Sequence, residues 1–304
     1  MKKIKSIMTL LFVCTAFSGM AQKALQLHLQ VGDKWYHEQK RTNSRQDMNE
    51  QGGSSELNDE NILGCTYEVL AVGKGTYDIK LTYSSIKFQD SVPGTEDKIT
   101  FDSQKQEDMN GDGGEKVKAI IGKGYVFTID ANNRKLIAIK ERPVKDTAQA
   151  RPISPLEPAL YLFPNNDDQL KRRVEVIFGG TIPDEKPVTG AKWDKTYSEN
   201  KGGIIQATTN SYTINRIEGS KIYIDAIIKM TVDGTPDGTA ELGEIKVSGL
   251  FNGTGSLNID ATTSLMSEAK SIIRGTQTMT TPNGKQKLSM AVSYVETLKK
   301  AGTN

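Results

Sequence analysis

Two stretches of strict alternation constrain this chain more than anything else in it. Tyr77, Ile79, Leu81 and Tyr83 alternate with Asp78, Lys80 and Thr82; Ile222, Ile224, Ala226, Ile228 and Met230 are likewise spaced by two. A side-chain period of two fits a half-buried strand and no helix. Turn signals punctuate such stretches at Gly73-Lys74-Gly75, Asp130-Ala131-Asn132-Asn133 and Pro282-Asn283-Gly284, so consecutive strands are expected to pair as antiparallel hairpins. The expected fold class is mainly β, with antiparallel sheets in two similar halves, open half-barrels among the forms available, and one amphipathic helix packed on a sheet.

The two halves are suggested by Gly32-Asp33-Lys34-Trp35, which returns with one change as Gly190-Ala191-Lys192-Trp193. Gly32, Trp35, Gly190 and Trp193 are therefore read as repeat anchors. Further landmarks follow in the same order: Tyr67 and Tyr212, Gly73 with Tyr77 against Gly219 with Tyr223, then Phe127-Thr128-Ile129-Asp130-Ala131 against Leu257-Asn258-Ile259-Asp260-Ala261. Polar insertions near residues 41 to 60 and 89 to 116 make the first half longer, so ordered hairpins correspond and no fixed period runs through.

Residues 1–21 read as a secretory leader: Lys2, Lys3 and Lys5, an apolar run from Ile7 to Phe17, and cleavage after Ala21. Cys14 lies inside the apolar run, and Val13 before it is too large for a lipoprotein acceptor. The expected organisation is a leader at 1–21, a first β-rich half at 22–142, a proline-rich connection and helix at 143–182, and a second half at 183–304. Removing three lysines takes the formal charge of +2 to −1, a balance with no footprint for nucleic acid. No later stretch approaches the roughly 20 apolar residues of a membrane helix, so no span is expected in the mature chain. Cys65 is then the single remaining cysteine. Stability must come from burial, with Cys65 expected as a small buried hydrophobe more than as a reactive thiol.

Taken in order, Leu25, Leu27, Leu29 and Val31 predict a first strand, and Trp35-Tyr36 opens a polar stretch expected to run on as an edge strand. Strands are expected at Cys65 to Val72, from Tyr77, at Ile99 to Phe101, Tyr125 to Ile129 and Lys135 to Lys140, with a short helix at Glu115 to Ile121. Five prolines between Pro143 and Pro164 mark the seam between the halves. After it, Leu170, Val174, Ile177 and Phe178 form one face of a helix capped by Asn166 or Asp167 and stopped by Gly179. Beyond Trp193, strands are expected at Tyr212 to Ile217, Lys221 to Met230, Glu244 to Phe251, Ser256 to Ile259, Leu265 to Thr280 and Lys287 to Leu298.

Chemistry-bearing motifs are few. The two histidines, His28 and His37, are expected to be structural, and triad elbows, zinc pairs, phosphate loops and C-x-x-C are absent from the sequence. Asp108, Asn110 and Asp112 match the first half of a calcium loop, but Ala119 stands where the bidentate acid belongs, so a solvated loop is the competing reading. Ser91 and Thr147, in Asp90-Ser91-Val92 and Asp146-Thr147-Ala148, resemble O-glycan acceptors of exported bacterial proteins and fall in expected loops. No cofactor is expected.

The segment from Pro183 through Lys186-Pro187-Val188 to Gly190 and Trp193 resembles a family of exported bacterial proteins of unknown function, whose pattern is a proline, a Lys-Pro-Val step and a glycine three before tryptophan. That family usually has an acidic residue after the glycine; Ala191 departs from it, while Asp33 keeps it. The resemblance implies exported β architecture and no catalytic residue. Strands with a covering helix are also similar in outline to envelope lipoprotein carriers. The expected function is a non-enzymatic cell-envelope binding module for a lipid or other apolar ligand, in the periplasm, at the surface or secreted. The alternative is a structural or assembly protein meeting an envelope partner through a strand edge; a carboxylate hydrolase is the third reading.

Overall fold

The structure, a computed structural model, describes residues 25–48, 54–91, 95, 97–111, 114–143, 167–183, 185–237 and 245–302. The leader with its cleavage site at Ala21, the five-proline seam beyond Pro143, Asp112 and Thr147 lie outside these residues.

The described chain is mainly β. Its strands are β1 (Lys34–Met48), β2 (Ser54–Gly73), β3 (Thr76–Ser91), β4 (Lys98–Asp102), β5 (Gly124–Asp130), β6 (Leu136–Glu141), β7 (Lys192–Lys201), β8 (Ile204–Glu218), β9 (Lys221–Gly234), β10 (Lys246–Asp260), β11 (Leu265–Thr281) and β12 (Gly284–Lys300). Two one-turn helices, α1 (Gln106–Asn110) and α2 (Gly114–Lys118), follow β4, and α3 (Asp167–Ile177) precedes β7. All strands belong to one antiparallel sheet in the order β6-β5-β3-β2-β1-β12-β11-β10-β9-β8-β7, with β4 paired to β3 off this path.

The sheet is not flat. Ten inter-strand steps of about 4.8 Å would hold β6 and β7 about 48 Å apart, whereas an 11-residue helix is about 16 Å long. Yet α3 reaches both edges and the middle. Asp167 pairs with Arg142, just past β6, at 2.9 Å; Arg172 pairs with Glu199 of β7 at 3.2 Å; Arg173 donates to Gln39 Oε1 of central β1. The sheet therefore curls around the helix and stays open, since β6 and β7 do not pair with each other.

The predicted helix is present with its stripe inward: Leu170, Val174, Ile177 and Phe178 are buried, and Gly179 ends it at φ 70°. Phe178 meets Tyr67 and Phe127 edge-on, with ring centroids 5.7 and 6.4 Å away.

The places of the two tryptophans are built alike. Gly32 and Gly190 both take the left-handed region, at φ 86° and 87°. The Gly32 amide donates to the Val69 carbonyl and the Gly190 amide to that of Ile214; Trp35 stands opposite Tyr67, and Trp193 opposite Tyr212. A ladder irregularity follows at Val69/Ala71 in one hairpin and at Ile214/Arg216 in the other. The pairing of Tyr77 with Tyr223 slips by one residue. Tyr77 faces Ile129 across β5, whereas the residue that faces Ile259 across β10 is Ile222; Tyr223 points the other way, under Arg216.

Four other expectations are corrected. Leu25, Leu27 and Leu29 are buried as alternation requires, but they belong to an extended segment outside the sheet, and Val31 is exposed. That segment is held by Leu27 N–H to Ala131 O and by Tyr77 Oη–H to Leu27 O, so apolar burial produced the pattern without a ladder. β1 is no edge strand: it lies between β2 and β12 in the middle of the sheet. Glu244 lies outside the described residues, and the strands expected at Glu244 to Phe251 and Ser256 to Ile259 are, from Lys246 on, one strand, β10. Gly253 and Gly255 lie within it, and a Cβ on Gly253 would collide with the Ile272 carbonyl of β11, so glycine here serves close strand approach and no turn. Ser91 is the last residue of β3, not a loop residue, and its hydroxyl donates to Asn58 O at 3.0 Å.

Candidate functional site

Directly opposed residues share a face of a sheet, so the ladders fix which side chains enter the curl. On β1 the inward set begins with buried Trp35 and continues through His37, Gln39, Arg41, Asn43 and Arg45. On β12 the residues facing them are Lys300, Leu298, Glu296, Tyr294, Val292 and Met290. Of this set the sequence singled out only Trp35, as a repeat anchor, and His37, as structural; the rest were missed, although their shared parity with Trp35 carried the signal.

The lower tier is a polar layer above the apolar core. His37 is fully buried, with Nδ1 3.4 Å from Cys65 Sγ and Nε2 3.0 Å from Glu296 Oε2. Gln39 Nε2 donates to Glu296 Oε1 at 3.3 Å, and Arg173 of α3 donates to Gln39 in turn. Burial works against a charged His37, but Cys65 and Glu296 outweigh it and hold the imidazole up at about 9. Burial likewise opposes an ionised Glu296, and His37, Arg173 and Gln39 prevail, holding the carboxyl below its usual range. The ring thus lies between the Glu296 carboxyl and the Cys65 sulfur, both of which favour its charged form. Cys–His–carboxylate geometry recurs in nucleophilic catalysis, but Cys65 and His37 have no exposed surface by which a substrate could reach them.

The upper tier begins at Arg41, opposite Tyr294. One row runs Asp90, Asp59, Asn43, Val292, Ile273 and Gly253 across five ladders, and the next runs Arg45, Met290, Gly275, Phe251 and Met230. The β1 to β3 side is polar and the β9 to β12 side apolar. Asp59 accepts from Asn43 Nδ2 at 2.8 Å and Asn61 Nδ2 at 3.0 Å, with Arg45 Nη2 at 3.9 Å. Burial, then Asp59 opposite, pushes the Asp90 carboxyl up. Burial here does not follow polarity alone: Phe251 and Ile228 are buried on the apolar side, and Arg41 and Arg45 are half-buried on the polar side. Asn43, Asp59 and Asn61 are 3%, 3% and 1% exposed, while Ile273, Met290, Val292 and Met230 are only half-buried. Folded cores bury apolar side chains first, so an apolar inner wall left partly open is the unusual feature.

Of the residues singled out in sequence, Trp35, His37 and Cys65 lie in or under the lower tier, and the others stay outside the trough. His28 is exposed on the extended N-terminal segment, and Asn110 is exposed at the end of α1. Asp108 spends its Oδ2 on the Asp102 amide at 2.7 Å, holding the turn after β4. Among the described residues no three His, Cys, Asp or Glu side chains are grouped to hold a metal, and no helix is long and apolar enough to cross a membrane.

No family model and no curated protein matches the chain. Among solved structures it is similar to lipovitellin, in a structure described for its lipid-protein interactions, at 11% identity and TM-score 0.43, over 91% of this chain and 26% of that one. It is also similar to Pseudomonas aeruginosa OccK7, at 7% identity and TM-score 0.23 over 90% and 100% of the two chains. An outer membrane channel of Pseudomonas putida F1 matches at 7% identity and TM-score 0.19 over 90% and 98%. The chain thus spans about a quarter of the lipovitellin chain, and likenesses this slight carry no argument about function.

Proposed function

We propose that the chain is an exported, non-enzymatic binding module that holds an apolar ligand in the trough of its curled sheet. The observation that carries this reading is the half-buried inner wall of Ile273, Met290, Val292 and Met230, beside polar residues that are almost wholly buried. Burying a side chain of this size is worth roughly 1.5–3 kcal/mol, so four left partly open are a standing incentive for an apolar guest. Export rests on the leader read at residues 1–21. The like-built surroundings of Trp35 and Trp193 support one duplicated unit, the second copy widening the sheet until it can enclose a guest.

The test is uptake of an uncharged fluorescent probe, N-phenyl-1-naphthylamine, by the mature chain. A saturable rise in emission is expected. It should be lost in Val232→Glu, on the inner face, and kept in Thr231→Glu, one residue away on the outer face. No saturable signal, or equal loss in both variants, contradicts the reading.

The alternative, an assembly protein acting through a strand edge, is favoured by one observation: among the described residues β6 and β7 are the end strands of the sheet, each paired on one side only. A concentration-dependent rise in mass by light scattering would support it.

A further inference from the structure

Arg41 stands in the trough without an ion pair or hydrogen bond to any described residue. It is half-buried, its Nε is shielded from solvent, and it faces Tyr294 across the ladder to β12. A guanidinium loses hydration when shielded, so native proteins pair such a group. The surrounding charges explain why this one is unmatched. Asp59 is engaged by Asn43, Asn61 and Arg45. Asp90, on β3 opposite Asp59, is driven towards its neutral form by burial and by Asp59 itself. Arg45 is thus the guanidinium placed beside Asp59, at 3.9 Å, and Arg41 has no carboxylate within ion-pair distance among the described residues. A second polar atom nearby is also unsatisfied: Asn43, 3% exposed, has its Oδ1 shielded and without a partner.

We propose that Arg41, with Asn43 and Arg45 beside it, is the head-group subsite of the trough and takes the carboxylate of a single-chain amphiphile. The proposal rests on the trough being a ligand site and adds the chemical class of the ligand. A carboxylate matches the planar fork of one guanidinium and balances one charge, whereas a doubly charged phosphate would also face Asp59. The hydrocarbon has its path one strand away, since Val292 and Met290 stand directly opposite Asn43 and Arg45. Asn43 Oδ1 is an acceptor and does not bind a carboxylate directly; a water between them would satisfy it.

The experiment is calorimetric titration of the mature chain with laurate, dodecan-1-ol and monododecyl phosphate, for the natural sequence and for Arg41→Met. Met fills the space of the arginine stem and removes the charge, so folding should survive; a melting curve checks this, and Arg41→Lys is the second variant. Laurate is expected to bind at least about tenfold more tightly than dodecan-1-ol, as a charge-assisted pair implies. In Arg41→Met that preference should vanish with dodecan-1-ol binding unchanged, and Arg41→Lys should keep part of it. Equal binding of acid and alcohol by the natural chain, or a preference that survives Arg41→Met, overturns the subsite and leaves the apolar trough standing. Tighter binding of the phosphate overturns the carboxylate assignment. Binding of none of the three overturns the trough reading itself.

Discussion

Arg134 and Ser264 hold the same backbone conformation, φ 62° in both, each four residues after an aspartate that ends a strand, Asp130 in β5 and Asp260 in β10. Each donates its amide to that aspartate's carbonyl, at 3.0 and 2.7 Å. Both then reach the extended N-terminal segment: Arg134 Nη1 donates to Leu25 O at 3.0 Å and Ser264 Oγ to Gln26 O at 2.8 Å. The glycines after α3 fit against the same two turns, since a Cβ on Gly179 would meet the Ser264 carbonyl and one on Gly180 the Arg134 carbonyl. Two like turns thus clamp the extended N-terminal segment.

The clamp predicts unequal costs. Arg134→Ala strips buried carbonyls of Leu25 and Ile182 of their donor and should cost roughly 2–4 kcal/mol in urea unfolding. Ser264→Gly loses one hydrogen bond but relieves a left-handed backbone, and these effects of about 1 kcal/mol each should nearly cancel. A neutral Arg134→Ala would contradict the clamp.

The His37 pair predicts a pH profile. Its folded pKa of about 9 lies above the ordinary 6.5, so its stabilisation is full below pH 6.5 and is lost as pH rises through 9. The gap corresponds to about 3 kcal/mol in order of magnitude. Glu296, held low, contributes in the opposite direction and fails only as pH falls below the ordinary carboxylate range. Melting temperature should therefore be highest near pH 5 to 6.5 and decline towards pH 9. Glu296→Gln should flatten that decline, and an unchanged slope would show that the pair does not set it.

The glycines inside the curl predict a steric limit. A Cβ on Gly275 would collide with the Leu250 carbonyl and with Phe251 across the β10–β11 ladder. Gly275→Ala should cost about 2 kcal/mol or more, against a few tenths for Thr276→Ala on the outer face. Chemical denaturation of both variants decides it, and equal small losses would mean that the strands yield freely.

If α3 braces the curl, Phe178→Ala should cost roughly 3–5 kcal/mol, because Phe178 sits fully buried between Tyr67 and Phe127. Limited proteolysis should then cut first around α3. Cleavage confined to other segments would mean that the helix is held by its ion pairs instead.

Much of the fold was legible because burial writes a period into sequence. The stripe Leu170, Val174, Ile177 and Phe178 gave the helix, and the spacing of Ile222, Ile224 and Ala226 gave β9. β1 was obscure because its inward face carries His37, Gln39, Arg41, Asn43 and Arg45, so neither face is apolar and alternation vanishes. β10 seemed broken because inward glycines mimic turn glycines. The site was less legible still. His37 meets Glu296 across 259 residues, and only the β1–β12 ladder brings them together. Cys65 was correctly expected to be buried, but its histidine neighbour was not foreseen.

The most direct test of the trough is native mass spectrometry of the mature chain purified from its own source, compared with its denatured mass. Extra mass present in the native spectrum and gone after denaturation is the predicted result, with the released species a single-chain carboxylic acid. A native mass equal to the bare chain, both as purified and after incubation with laurate and dodecan-1-ol, would contradict the account.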